Sequence, residues 1–288
     1  MKTKLAVLIS GSYRNFDSTW RINEEILRRS KIPYDVFFHT WDINPNFESD
    51  VLISEYKNRF YLIPFPKRYS EFPQKICAEK IKEQYRFRSV EVSRFDEQEI
   101  VRMFHLSNLD TNSLYRLQLN SCGMYLGIDA VSQKISGNLE FSHFLRIRTD
   151  FILDGTTFDE ILMSDLVFFG QLLPTEEGLI GDQCFGGDLS KAGFILQTLS
   201  TLNEITQGSE WNKREPVILG ENVIRQRLRP HRKDIKISYF NQSGNIARPR
   251  VILDLAAMNP SFIKLVFAHN VRVLIAKMLR FSLKLSKK

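Results

Sequence analysis

The chain has 288 residues, 43% hydrophobic and 25% charged, a composition that can build a sizeable core and excludes a disordered or collagen-like protein. No run reaches the ~18 uncharged apolar residues of a membrane span, and the three cysteines (Cys77, Cys122, Cys184) lack the spacing of a zinc site, so they read as free thiols of a reducing compartment. Net charge is +7, but residues 255–288 hold seven Lys or Arg and no acid, which leaves 33 basic against 33 acidic residues elsewhere.

Leu5-Ala6-Val7-Leu8-Ile9 is a continuous apolar run that stops at Ser10-Gly11-Ser12. It is shorter than the apolar region of a secretory signal and predicts a strand buried on both faces. Residues 20–30 predict a helix with Ile22, Ile26 and Leu27 on one face, ended by Pro33; residues 34–40 predict a second strand, ending at Trp41-Asp42. Strand, helix and strand in this order form a βαβ unit, whose ligands lie beyond the carboxyl ends of the strands.

Residues 43–110 carry Pro45, Pro64, Pro66 and Pro73 and read as an insertion or acceptor-facing region, with helices over 76–86 and from 96 to 104. Residues 113–135 repeat Leu114, Leu117, Met124, Ile128 and Val131 at helical spacing and end at Gly137-Asn138. Residues 141–147 then predict a strand leading into Arg148-Thr149-Asp150. Further strands are predicted at 165–170 and 181–188, and helices at 189–202 and 216–228.

A strand that ends in Arg146-x-Arg148-x-Asp150 fixes a carboxylate and cations at the ligand edge of a sheet. Transfer from a nucleotide-sugar requires the departing diphosphate to be neutralised, by a carboxylate-held divalent cation or by arginine. Read as pattern alone, the sequence favours Asp150 as a strand-end residue capping the next turn, with the arginines in surface ion pairs. No histidine among the five has metal spacing, and no Walker-type loop occurs.

The order of these pieces resembles the WavE-like glycosyltransferases of bacterial lipopolysaccharide and capsule, which are of GT-A type. The pieces are Ser10 to Arg14, Asp35 to Asp42, Arg116 to Gly123, Leu145 to Asp150, and Gly181-Asp182-Gln183 with Gly186; together they span roughly residues 5–230. The resemblance implies an α/β fold with a GT-A-like, Rossmann-type, mostly parallel sheet flanked by helices over residues 1–255. It implies a donor-nucleotide site at Ser10, Gly11, Arg14, Thr40, Trp41, Asp42, Arg116, Asn120, Arg148 and Asp150. Asp182 would be the base that deprotonates an acceptor hydroxyl, with Glu221 as second candidate. GT-A enzymes usually carry Asp-x-Asp, whereas this chain has Arg148-x-Asp150. Asp150 is then the metal ligand for Mn²⁺ or Mg²⁺, with Asp154 four residues on, or Arg148 shares in neutralising the diphosphate. The alternative is a noncatalytic, membrane-peripheral scaffold that keeps the fold without the chemistry.

Residues 256–288 read as a basic amphipathic helical tail: Phe262, Val266, Leu274, Met278 and Phe281 interleave with Lys and Arg. Apolar anchoring with positive charge suits an anionic membrane surface better than nucleic acid. It suits a transferase in the cytoplasm, peripheral at the inner face of the membrane, whose partners are a nucleotide-sugar donor and a saccharide or lipid-linked saccharide acceptor.

Overall fold

Every residue of β1 (Leu5–Ser10) is buried, so both of its alternating faces require cover. Ala6 and Leu8 join an apolar cluster with Leu119, Tyr125 and Ile128 of the long helix Ser113–Gln133. Leu5, Val7 and Ile9 join a second cluster with Phe16, Trp20 and Leu27 of the helix Phe16–Arg29. A strand enclosed in this way sits in the middle of a helix-flanked sheet. Each fully buried Leu, Ile or Phe on it contributes about 1.5–3 kcal/mol by removal from water.

The computed structural model describes residues 3–13, 16–43, 75–104, 113–153, 157–170, 173–175, 178–207 and 219–240. All of these fall in one unit, 1–45 with 73–247; a second, 46–72 with 248–288, lies outside the described residues, and with it the basic tail. After β1 come α1 (Phe16–Arg29), β2 (Tyr34–Trp41), α2 (Ala78–Gln84), β3 (Ser89–Ser93), α3 (Glu97–Met103), α4 (Ser113–Gln133) and β4 (His143–Arg148). There follow α5 (Thr157–Met163), β5 (Leu166–Phe169), a hairpin of β6 (Leu173–Thr175) and β7 (Gly178–Ile180), β8 (Cys184–Asp188) and α6 (Leu189–Ala192). The last are α7 (Thr198–Gln207), α8 (Leu219–Leu228) and β9 (Ile237–Phe240). The main sheet has seven strands in the order β3-β2-β1-β4-β8-β5-β9. Only β8 runs antiparallel to its neighbours. This is an α/β protein with a mostly parallel, helix-flanked, Rossmann-like sheet. Among the described residues no helix is long and apolar enough to cross a membrane.

Several sequence expectations are corrected by the structure. α1 begins at Phe16, four residues before the predicted start. Residues 89–93, read as part of an irregular insertion, form the edge strand β3, and β9 is a second unforeseen edge strand. The helix predicted over 189–202 is broken: α6 passes into a 3-10 turn at Gly193–Leu196, and α7 starts anew at Thr198. α8 covers Leu219–Leu228, and the predicted start at residue 216 lies outside the described residues.

The strand order fixes where a ligand edge lies. The chain steps outward from β1 to β2 and β3, then returns across the sheet to lay β4 on the other side of β1. The α1 crossover covers one face and α4 the other. The connections leaving β1 and β4 therefore depart in opposite directions, and the region beyond the carboxyl ends of these two strands is where an open α/β sheet places a ligand.

Candidate functional site

Two loops meet at this edge of the sheet: Ser10-Gly11-Ser12-Tyr13 after β1, and Arg148 to Leu153 after β4. Ser10 stands in register with His39 of β2 on one side and Arg148 of β4 on the other. Gly11 makes the close approach of the loops feasible. Its φ is +138°, and a Cβ there would lie 3.3 Å from Thr149 Oγ1 and 3.5 Å from Arg148 Cγ. The Thr149 hydroxyl donates to the Ser12 carbonyl at 2.5 Å.

The β4 loop is held from below by α1. The Thr19 hydroxyl sits 2.7 Å from the Thr149 carbonyl and 2.9 Å from that of Phe16. The Asn23 amide brackets the end of the loop: Nδ2 donates to the Phe151 carbonyl at 2.8 Å, and Oδ1 accepts from the Leu153 N–H at 2.8 Å. Both side chains are buried. The sequence reading missed Thr19 and Asn23. Their signal was present, as two polar residues four apart on the face that also carries Phe16, Trp20 and Leu27.

At the centre, Arg148 grips Asp150. Nε donates to Oδ1 at 2.5 Å, and Nη2 to Oδ2 at 3.3 Å, a two-point charge-assisted pair. The Asp150 side chain is 3% exposed and that of Arg148 is 16%. Two residues back on β4, Arg146 is fully buried. Its Nη1 donates to the Asp182 carbonyl, its guanidinium lies 5.8 Å from the centre of the Phe185 ring, and its Nε and Nη2 have no hydrogen-bond partner. Burial drives its pKa down to about 10, with Asp182 opposing the shift and Arg148 adding to it, so Arg146 remains charged at neutral pH.

Asp182 belongs to the same edge. β8 runs antiparallel to β4 with Cys184 opposite Ile147, and the Arg148 N–H donates to the Gln183 carbonyl at 2.8 Å. Asp182 is partly exposed, whereas Gln183 beside it is buried.

The remaining predicted site residues fall in different surroundings. Ser10 and Thr40 are wholly buried, and their hydroxyls have no hydrogen-bond partner. Trp41 is buried edge-on against His39 at 5.0 Å and Phe95 at 5.3 Å, so it packs as a core aromatic on this sheet face. Asp42 closes a turn: its carboxylate accepts the Phe95 N–H at 2.8 Å, and its backbone bonds to Ser93 and Ile76. Arg14 and Asp154 lie outside the described residues. Arg116 and Asn120 lie on α4 and Glu221 on α8, with side chains outside the described residues.

His39 is buried beside this edge. Its Nε2 lies 3.0 Å from Ser93 Oγ, and its Nδ1 has no partner. Gly127 of α4 leaves just enough space: a Cβ there would fall 3.0 Å from Nδ1. Burial pushes the His39 pKa down to about 4, with Glu91 opposing the shift and Lys134 adding to it.

Among the described residues, the Asp150 carboxylate is already committed to Arg148. A divalent cation needs carboxylate oxygens open toward its other ligands, but both oxygens of Asp150 face Arg148 and the group is almost wholly buried. Among the described residues no group of three His, Cys, Asp or Glu is arranged to hold a metal ion.

The fold defines a class: an α/β protein with a mostly parallel, helix-flanked, Rossmann-like sheet that carries arginine at the end of β4. Compared with protein-family models and with curated proteins, the chain matches none.

Proposed function

We propose that this protein is a nucleotide-sugar-dependent glycosyltransferase of GT-A type that builds bacterial surface polysaccharide, lipopolysaccharide or capsule. The observation that carries this reading is the meeting of Ser10-Gly11-Ser12 and Arg148-Thr149-Asp150 at the reversal of strand order between β1 and β4. A sheet of this kind binds nucleotides there. The resemblance in motif order supports the choice of sugar transfer over other nucleotide chemistry.

The chemistry follows from the residue types. Arg148 faces the diphosphate of the donor, and Asp182 faces the acceptor from the adjoining loop. The Asp182 carboxylate takes the proton of an acceptor hydroxyl while that oxygen forms a bond to the anomeric carbon. The bond from that carbon to the diphosphate oxygen breaks, and its electron pair leaves with the nucleoside diphosphate. Glu221 on α8 is the second candidate base. The acceptor is a saccharide, lipid-linked at the inner face of the cytoplasmic membrane, where the basic tail from 256 to 288 would bind anionic lipid.

Titration calorimetry with UDP, GDP, CDP and CMP tests the reading. One of the four should bind with micromolar affinity, near −8 kcal/mol. Binding of none would defeat it and favour a noncatalytic scaffold. Asp182→Ala should leave nucleotide affinity intact and abolish transfer; undiminished turnover would remove Asp182 as the base.

A further inference from the structure

A carboxylate serves a bound cation through oxygens that are not already committed to a neighbouring cation. At the end of β4 the order of exposure is the reverse: the Asp150 carboxylate is 3% exposed and the Arg148 guanidinium 16%. Arg148 holds both Asp150 oxygens, which fixes the plane of the guanidinium while part of the side chain stays at the surface. Behind it, Arg146 adds a second positive charge whose Nε and Nη2 are unpartnered. The more exposed member of the Arg148–Asp150 pair is therefore the cation, and Arg146 adds one positive charge in excess of that neutral pair.

We infer that a nucleoside diphosphate is held here by Arg148, backed by the buried charge of Arg146, without a divalent cation. Asp150 is then a positioning residue that orients Arg148 and not a metal ligand. This inference rests on the nucleotide-sugar reading and deepens it, because it names what neutralises the leaving group. Arginine suits this role because it presents a planar donor pair matched to phosphate oxygens and stays charged at any working pH. The Asp182 carbonyl draws Arg146 toward the adjoining loop, so one cation supports both the donor and the acceptor side of this edge.

The test is calorimetry of the full chain with the nucleoside diphosphate that binds best, in EDTA and in Mn²⁺. We expect the two dissociation constants to agree within about threefold, less than the 1.4 kcal/mol of a tenfold change. Arg148→Gln should weaken binding roughly 10- to 100-fold in both buffers, the scale of one lost charge-assisted contact. Arg148→Lys keeps the charge but not the planar donor pair, and should fall between; it serves as the control for folding. Asp150→Asn should weaken binding less than Arg148→Gln, by the same factor in EDTA and in Mn²⁺. Binding that appears only with Mn²⁺ overturns the inference while leaving the transferase reading in place, as does an Asp150→Asn loss confined to Mn²⁺. Full affinity of Arg148→Gln in EDTA also overturns it. Failure of every nucleotide in both buffers removes the transferase reading and the inference with it.

Discussion

A guanidinium with no exposed surface and two unpartnered nitrogens is costly to bury, and Arg146 is such a group. An apolar side chain of similar length removes the cost of burying this charge at the loss of one hydrogen bond, to the Asp182 carbonyl. Arg146→Met should therefore raise stability by about 1–3 kcal/mol in urea denaturation while lowering nucleotide affinity. A large loss of stability would mean that Arg146 serves the fold and not the ligand edge. His39 gives a second residue-level prediction. Its folded pKa is about 4 against 6.5 for the unfolded group, so as pH falls the unfolded chain takes up the proton first. The contribution is complete above pH 6.5 and is lost as pH drops toward 4, by up to ~3 kcal/mol. Stability curves of wild type and His39→Gln should converge over that window; parallel curves would show that carboxylates carry the acid sensitivity. Glu140, held down to about 2 first by Lys4 and then by Arg88, loses its contribution at lower pH, from 4.5 downward, so the two windows are separable.

At the scale of elements, α1 acts as the support of the β4 loop through Thr19 and Asn23. Asn23→Ala leaves the Phe151 carbonyl and the Leu153 N–H buried without partners, which should cost about 2–4 kcal/mol by chemical denaturation. Nucleotide affinity should fall as well, because the loop that carries Asp150 loosens; unchanged affinity would show that the loop holds its shape alone. The elements that the sequence made legible are those buried on both faces. β1 declares itself as an uninterrupted apolar run, and β2 and β4 carry the shorter apolar stretches Val36-Phe37-Phe38 and Phe144-Leu145. β3, with the sequence Ser-Val-Glu-Val-Ser, and β9 are partly exposed edge strands, where alternation is too short to separate strand from loop. The break at Gly193–Leu196 was illegible because apolar spacing continues through it. The reversal of β8 depends on pairing with β4 and β5, which no local pattern encodes. Likewise, Arg148 and Asp150 were legible as a motif. Their mutual grip was not, because it depends on side-chain direction at the end of a buried strand.

For the whole molecule, charge is divided between a neutral body and a basic segment from 255 to 288. If that segment docks on anionic lipid, truncation after Asn259 should release the protein from vesicles containing phosphatidylserine or phosphatidylglycerol, and equal flotation of both forms would defeat the idea. The body carries the central claim, that the carboxyl edge of β1 and β4 is the donor site. Hydrogen–deuterium exchange of the full chain, with and without the best-binding nucleotide, tests it most directly. Slower exchange should appear together in the segments 10–13 and 148–153, with a smaller effect at 181–183. Protection confined to other segments, or none at saturating nucleotide, would contradict the account.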